Sequence, residues 1–465
     1  MKRFIDHDLA EWSDTDERKP LLLRGARQVG KTFAARQLGK SFASFVEINC
    51  EEMPACRTVF EKDLNPTRII QELSLLTGKK IIPGKTLLFL DEIQDAPQII
   101  TALRYFYEKL PELHVIAAGS LLDFALENTG IPVGRVESLY VYPLSWLEFL
   151  LAQQEDLLYH AILEQDVQTP IGEAIHQKLL HLLGEYLAIG GMPEVVALWI
   201  KKRNPFLCFK THQSLLSTYR QDFEKYAKKY QIKYVDLLFD QIPRQLGRRF
   251  KFSAVPGEYR KRELQPCFNL LIKANMLHPI NHTAANGLPL GAESNTEHFK
   301  TIFLDIGLAQ ALLGLDLKEW FLTPHQAFAN QGAIVEAFVG QEMLVYASAL
   351  QKKQLYYWHK ESLNAQAEID YVLQQKNKII PIEVKSGTTG QLKSLREFLN
   401  SHTDTPYALR FSSHNYSCHG GIHSYPLYAI ARAMQFNSSD VAKGQSLALE
   451  KAQQSSLIQT KKNAL

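Results

Sequence analysis

One stretch constrains this chain more than any other. Leu21-Leu22-Leu23 reads as a short buried strand, and Gly25-Ala26-Arg27-Gln28-Val29-Gly30-Lys31-Thr32 follows it directly. The spacing is G-x-x-x-x-G-K-[ST], a loop whose successive backbone N–H groups turn inward toward phosphate oxygens. Lys31 adds a point charge for the β- and γ-phosphates, and the Thr32 hydroxyl is a ligand for Mg²⁺. Phe33-Ala34-Ala35-Arg36-Gln37-Leu38 is helix-prone, so the phosphates would meet a helix N-terminus. A strand, this loop and a helix in that order demand an α/β layer with a parallel sheet.

The same sheet should supply the rest of a nucleotide site. Thr86-Leu87-Leu88-Phe89-Leu90 is an apolar run ending in Asp91-Glu92. Asp91 is placed to hold the Mg²⁺ shell, and Glu92 to polarise an attacking water. A further run, His114-Val115-Ile116-Ala117-Ala118-Gly119-Ser120, ends in a small hydroxyl that either senses a γ-phosphate or caps a helix. Arg135 is a candidate for stabilising transition-state charge, in cis or from a neighbouring subunit, against the plainer alternative of a surface ion pair. ATP with Mg²⁺ is the ligand pair these residues imply.

The chain has 465 residues, 46% hydrophobic and 22% charged, which suits an ordinary folded protein of about three domains. A net charge of +3 leaves any nucleic-acid surface to local clusters. Five cysteines without a C-x-x-C pair indicate neither a disulfide framework nor a zinc finger, and fit a cytoplasmic location. The N-terminus turns acidic before an apolar run can form, unlike a signal peptide. No apolar stretch is long enough for a bilayer, so no membrane partner is expected.

Six segments are expected. Residues 1–19 form an N-terminal segment, 20–145 a phosphate-loop core and 146–230 a helical lid. Residues 231–330 form a helical or winged-helix-like domain, 331–436 a mixed α/β domain and 437–465 a mobile polar tail. From Tyr234 to Phe303 the pattern predicts three helices and then a hairpin. Leu264–Leu277 is the long helix, and the stretch from Asn286-Gly287 to Phe299–Leu304 is the wing. A plain helical linker remains the alternative. Lys225, Lys228, Lys229, Lys233, Arg244, Arg248, Arg249, Lys251, Arg260, Lys261 and Arg262 make this region locally basic. His414, Cys418, His419 and His423 lack the paired spacing of a metal site and read as a loop.

Four stretches together resemble the prokaryotic AAA-type ATPases that carry a C-terminal domain of unknown function. They are the phosphate loop, Leu90-Asp91-Glu92-Ile93-Gln94, Tyr142-Pro143-Leu144-Ser145-Trp146-Leu147-Glu148-Phe149, and Gly190-Gly191-Met192-Pro193-Glu194-Val195-Val196. Thr301-Ile302-Phe303-Leu304-Asp305-Ile306-Gly307-Leu308 and Gly332-Ala333-Ile334-Val335-Glu336 extend the likeness to about residue 430. The resemblance implies a P-loop NTPase sheet, nucleotide binding and a nuclease-like C-terminal module.

In that module, Glu368-Ile369-Asp370-Tyr371-Val372-Leu373 and Ile379-Ile380-Pro381-Ile382-Glu383-Val384-Lys385 are alternating strands that turn Glu383 and Lys385 to one face. With Asp370 on the adjoining strand and Glu336 on the preceding helix, the set Glu336, Asp370, Glu383 and Lys385 resembles the PD-(D/E)xK nuclease site. There the acids hold divalent ions and the lysine stabilises charge. Ile369 stands where that pattern has proline. Two functions follow as expectations. One is an ATP-hydrolysing switch or motor that engages DNA, with homo-oligomerisation open. The other is a nucleotide-gated signalling or assembly protein whose nuclease-like domain only binds.

Overall fold

The computed structural model describes residues 1–130, 132–315, 317–360, 367–386 and 392–436; the tail expected at 437–465 lies outside them. The described chain divides into two compact units. One holds residues 2–142 with 348–352, and the other holds 143–347 with 353–436. The segments drawn from sequence as lid, middle domain and C-terminal domain therefore share one unit.

The first unit is built on strands β1 (Leu21–Arg24), β2 (Ser44–Asn49), β3 (Thr86–Asp91), β4 (His114–Ala118) and β5 (Glu137–Tyr140). Their order is β2-β3-β4-β1-β5, and every pairing is parallel. All residues of β3 and β4 are buried, which explains their unbroken apolar runs. Val46, Ile48, Leu88, Leu90, Val115 and Ala117 alternate onto one face. There they pack with Val59, Phe60, Ile69, Leu73, Ile99, Leu103 and Phe106 from three helices. The helix Pro66–Thr77 shows its sequence signals openly: Asn65 caps it, Pro66 opens it, and Gly78 closes it in the left-handed region. Because β4 lies between β1 and β3, the carboxyl ends of these three strands stand side by side. In open α/β sheets that edge is where ligands bind.

The second unit opens with helices. Ser145 and Glu148 form a reciprocal capping box on Trp146–Ala152. Glu173–Ile189, Pro193–Lys202 and Pro205–Tyr226 follow. The Gly190-Gly191-Met192-Pro193 break is a junction. The buried Asp305 carboxylate accepts from Gly191 N at 2.7 Å and Leu308 N at 3.0 Å. A Cβ on Gly190 would meet Asp305 Oδ1 at 2.2 Å, so only glycine fits there.

Between residues 231 and 303 the structure has two α-helices, Ile232–Gln241 and Lys261–Lys273, rather than three. The intervening chain makes only 3₁₀ turns at Pro243–Gln245 and Phe252–Ala254. The expected long helix stops at Lys273, and Leu277 instead starts β6 (Leu277–Thr283), which pairs with β7 (Ser294–Phe303). This hairpin does not project as a wing. β6 also pairs in parallel with β8 (Leu355–His359), which draws the hairpin into the C-terminal sheet. With β9 (Glu368–Gln375), β10 (Lys378–Lys385), β11 (Ala408–Ser412), β12 (Ser417–His419) and β13 (Ile422–Pro426), the order is β12-β13-β11-β10-β9-β8-β6-β7. The sheet is mixed, and the helix Gly332–Val345 packs against β7 and β10. The His414–His423 stretch, expected as a loop, holds β12, the turn and the start of β13. Cys418 pairs with His423 across it, and Gly420 and Gly421, both at positive φ, make its turn.

Among the described residues no helix is long and apolar enough to cross a membrane. The five cysteines are free thiols.

Candidate functional site

The phosphate loop joins β1 to the helix Lys31–Gly39. Its sharp turn requires Gly25, which sits at φ 139° and where an added Cβ would meet Val141 O at 2.2 Å. Ala26 and Val29 are buried and anchor the loop from below, while Gln28 is exposed at its crest. Arg27 is half-buried, and Gly30 is the N-cap of the helix. Lys31 is 7% exposed. Its ammonium donates to Gly25 O at 2.9 Å and Ala26 O at 2.7 Å, so the charge is held within the loop's own curl.

The acidic half stands beside it. Thr32 Oγ1 donates to Asp91 Oδ2 at 2.7 Å, which joins the loop helix to the end of β3. Asp91 Oδ1 accepts from Glu92 N at 3.0 Å. Burial raises the Asp91 carboxyl above its ordinary range, against the Thr32 hydrogen bond that lowers it. Glu92 has left-handed backbone, which lifts its side chain off the strand. Its Oε2 accepts from Gln94 Nε2 at 2.7 Å and from Ser120 N and Oγ, both at 3.3 Å. Ser120 follows β4, so the order of the strands brings the two together. A hydroxyl and a carboxylate in direct contact are an oxygen donor set suited to Mg²⁺. Thr32 and Asp91 would hold the ion, which when bound neutralises phosphate charge.

Arg135 lies apart from this group. Its Nε donates to Glu108 Oε1 at 3.1 Å, a carboxylate that also accepts from Arg104, and the pair is well exposed. Arg24 was not anticipated. It pairs with Asp123 and covers the Tyr140 ring at 4.9 Å, bracing the base of the loop.

Burial pulls the Lys31 ammonium down to about 8, with Glu92 and Asp91 opposing. An arriving phosphate raises that value, so binding takes up a proton wherever free Lys31 has lost its own. ATP affinity is therefore expected to be level from neutral pH to about 8. Above that it should fall about tenfold per pH unit. Calorimetric titrations in buffers of different ionisation enthalpy will show both the fall and the proton uptake. Level affinity well above pH 8 would contradict the expectation.

The second constellation lies in the second unit. Asp370 and Glu383 each stand one residue beyond the Tyr371–Ile382 pair of β9 and β10, and Asp370 Oδ2 accepts from Val384 N at 2.8 Å. Glu336 projects from the helix Gly332–Val345, whose backbone at Glu336 O accepts from the Tyr371 hydroxyl at 2.8 Å. Lys385 pairs with Glu383. The structure therefore brings the four anticipated residues to one place, and it adds two more. Glu368 shares the Asp370 face of β9, and Lys300 enters from β7. Lys300 Nζ lies 3.0 Å from Glu336 Oε1, 2.6 Å from Glu368 Oε1 and 3.6 Å from Asp370 Oδ1, with its side chain 1% exposed.

Burial works against the Lys300 charge, but Glu336, Asp370 and Glu368 outweigh it and raise its pKa above the ordinary lysine value. Burial first and Asp370 second push Glu336 up to about 8 and Glu383 up to about 7. The arrangement does not fit a resident divalent ion: an ammonium already sits among three of the four carboxylates. Among the described residues no three His, Cys, Asp or Glu side chains converge as metal ligands.

Glu368 was legible in principle, since Glu368 and Asp370 are two apart on a strand and share a face. Lys300 carried a fainter signal, a single cation in the run Phe299-Lys300-Thr301-Ile302-Phe303.

Three family models match successive parts of the chain. Residues 17–150 match an AAA domain. Residues 180–319 match a domain of unknown function, DUF8612, and residues 331–430 match another, DUF4143. No match was found among curated proteins. Among solved structures, the Walker-type ATPase paby2304 of Pyrococcus abyssi is similar at 16% identity over 67% of this chain and 95% of that one, with a TM-score of 0.44. C. elegans PCH-2 is similar at 14% identity over 58% of this chain and 65% of that one, with a TM-score of 0.21. The matched first part is thus similar to an AAA domain, and it folds as a parallel five-stranded α/β sheet.

Proposed function

We propose that the protein binds ATP with Mg²⁺, hydrolyses it, and uses the cycle to act on or with DNA. The observation that carries the nucleotide part is the 2.7 Å hydrogen bond from Thr32 to Asp91. It sets the phosphate loop against the acidic strand end with Glu92 alongside. In this reading the loop N–H groups and Lys31 bind the β- and γ-phosphates, and Glu92 orients a water and accepts its proton. The water oxygen bonds to the γ-phosphorus as the bridge to the β-phosphate breaks, leaving ADP and phosphate. Ser120 and Gln94 fix the Glu92 carboxylate. Arg135 would contribute to the transition state only from a neighbouring subunit.

The DNA part is supported by charge. Arg244, Arg248, Lys251 and Arg260 before the helix Lys261–Lys273, and Lys261 and Arg262 in its first turn, are exposed. Clustered basic side chains contact phosphate backbones and release counterions. A second reading, a nucleotide-gated assembly switch, is favoured by the filled carboxylate cluster of the second unit.

Phosphate release measured with and without duplex DNA at several salt concentrations tests the proposal. Mg²⁺-dependent turnover, stimulated by DNA and lost steeply as salt rises, is expected. Turnover indifferent to DNA, with a nucleotide-dependent change in oligomeric state, would favour the switch.

A further inference from the structure

We infer that Lys300 is a built-in counter-ion that takes the place of a divalent cation in the carboxylate cluster, so the C-terminal sheet is a metal-independent module. The inference rests on the reading of Glu336, Asp370, Glu383 and Lys385 as a nuclease-type constellation. Without that likeness the cluster would be one more buried ion network.

The geometry is specific. An ammonium has three donors, and Lys300 has three carboxylate neighbours, from the helix Gly332–Val345 and two positions on β9. It also lies 5.4 Å from the centre of the Tyr357 ring, and its aliphatic stem is enclosed by the sheet. A divalent ion needs several oxygens at about 2.0–2.6 Å, and here most of the oxygens are committed. Glu336 Oε1 and Glu368 Oε1 face Lys300, and Glu368 Oε2 lies 3.9 Å from Arg249 Nε. Asp370 Oδ2 accepts from Val384 N and Oδ1 faces Lys300. Glu383 Oε1 faces Lys385. That leaves Glu336 Oε2 and the buried Glu383 Oε2, which has no hydrogen-bond partner, and two oxygens fall short of a coordination shell. Any ion entering there would also sit within a few ångströms of a fixed positive charge, in surroundings that screen poorly. Lys300 thus supplies from the hairpin strand β7 the positive charge that a metal would otherwise bring.

The consequence is a gain on removing the lysine. Mn²⁺ alone is the probe, followed by electron paramagnetic resonance on the full chain without nucleotide. The parent and Asp370→Asn should bind the same amount, because any ion at Asp91 is common to both. Lys300→Met keeps the stem and drops the charge. It should gain about one equivalent of Mn²⁺, and the double variant Lys300→Met/Asp370→Asn should lose it. Without metal, Lys300→Met should melt about 10 °C below the parent, since it leaves buried carboxylates uncompensated. Mn²⁺ should restore much of that loss.

Parent Mn²⁺ binding that disappears in Asp370→Asn would overturn the inference. So would a folded Lys300→Met that gains no ion. If Lys300→Met does not fold, the comparison of the parent with Asp370→Asn still decides. Phosphate release by the same preparations reports on the nucleotide site separately, so failure of one reading is not mistaken for failure of the other.

Discussion

Glu92→Gln is expected to bind ATP as the parent does and to hydrolyse it on the order of a hundredfold more slowly. The amide has the size of the carboxylate and keeps an oxygen that can accept from Ser120 and Gln94, as Glu92 Oε2 does now. The loop, Lys31 and Asp91 are untouched, so the ground-state complex should form. What is lost is the negative charge that polarises a water and the base that takes its proton. Binding by calorimetry and single-turnover phosphate release separate the two effects. Hydrolysis at the parent rate would mean that another group orients the water. Ser120→Ala is the internal control. It removes one of three contacts to the Glu92 carboxylate and should slow turnover less than Glu92→Gln does.

The cluster of Lys31, Thr32, Asp91 and Glu92 was legible because its residues are local in sequence or fixed by strand ends. Gly25 to Thr32 is one uninterrupted loop, and Asp91-Glu92 terminates a fully buried strand whose apolar run announces itself. The sheet order was not legible. Nothing in Val115–Ala118 says that this strand inserts between β1 and β3, yet that insertion is what brings Ser120 to Glu92. The same limit applies to the second unit. Glu336, Asp370, Glu383 and Lys385 could be grouped because they lie on one helix and one hairpin close in the chain. Lys300 comes from β7, which is not hydrogen-bonded to β9 or β10 and belongs to a segment that reads by itself as a wing. The β6–β8 pairing that joins it to the sheet is a long-range parallel contact, for which local pattern carries no signal. Arg135 shows the converse. Its position after Val133-Gly134 suggested a role in catalysis, whereas its neighbour in this chain is Glu108, on the helix Gln98–Lys109.

Lys31→Ala is expected to abolish measurable ATP binding while the protein stays folded. The ammonium now hydrogen-bonds to Gly25 O and Ala26 O, both part of the loop it serves. The sheet on either side is held by the β1–β4 and β1–β5 registers, which the substitution does not reach. The structural cost is therefore local. The cost to binding is larger. Charge-assisted hydrogen bonds contribute about 1.5–3 kcal/mol each. Losing contacts to two phosphates removes about 3–6 kcal/mol, on the order of a hundredfold to ten-thousandfold in affinity. Backbone N–H groups cannot make up the difference, because they carry no net charge and are already directed at the same oxygens. Lys31→Met distinguishes charge from volume. It refills the space beneath the loop without the ammonium, and should bind as poorly as alanine while melting closer to the parent. Calorimetric titration with Mg²⁺ and ATP, beside thermal melts of all three proteins, is the measurement. Unchanged affinity in either variant would show that the phosphates do not sit where the loop, Thr32 and Asp91 place them.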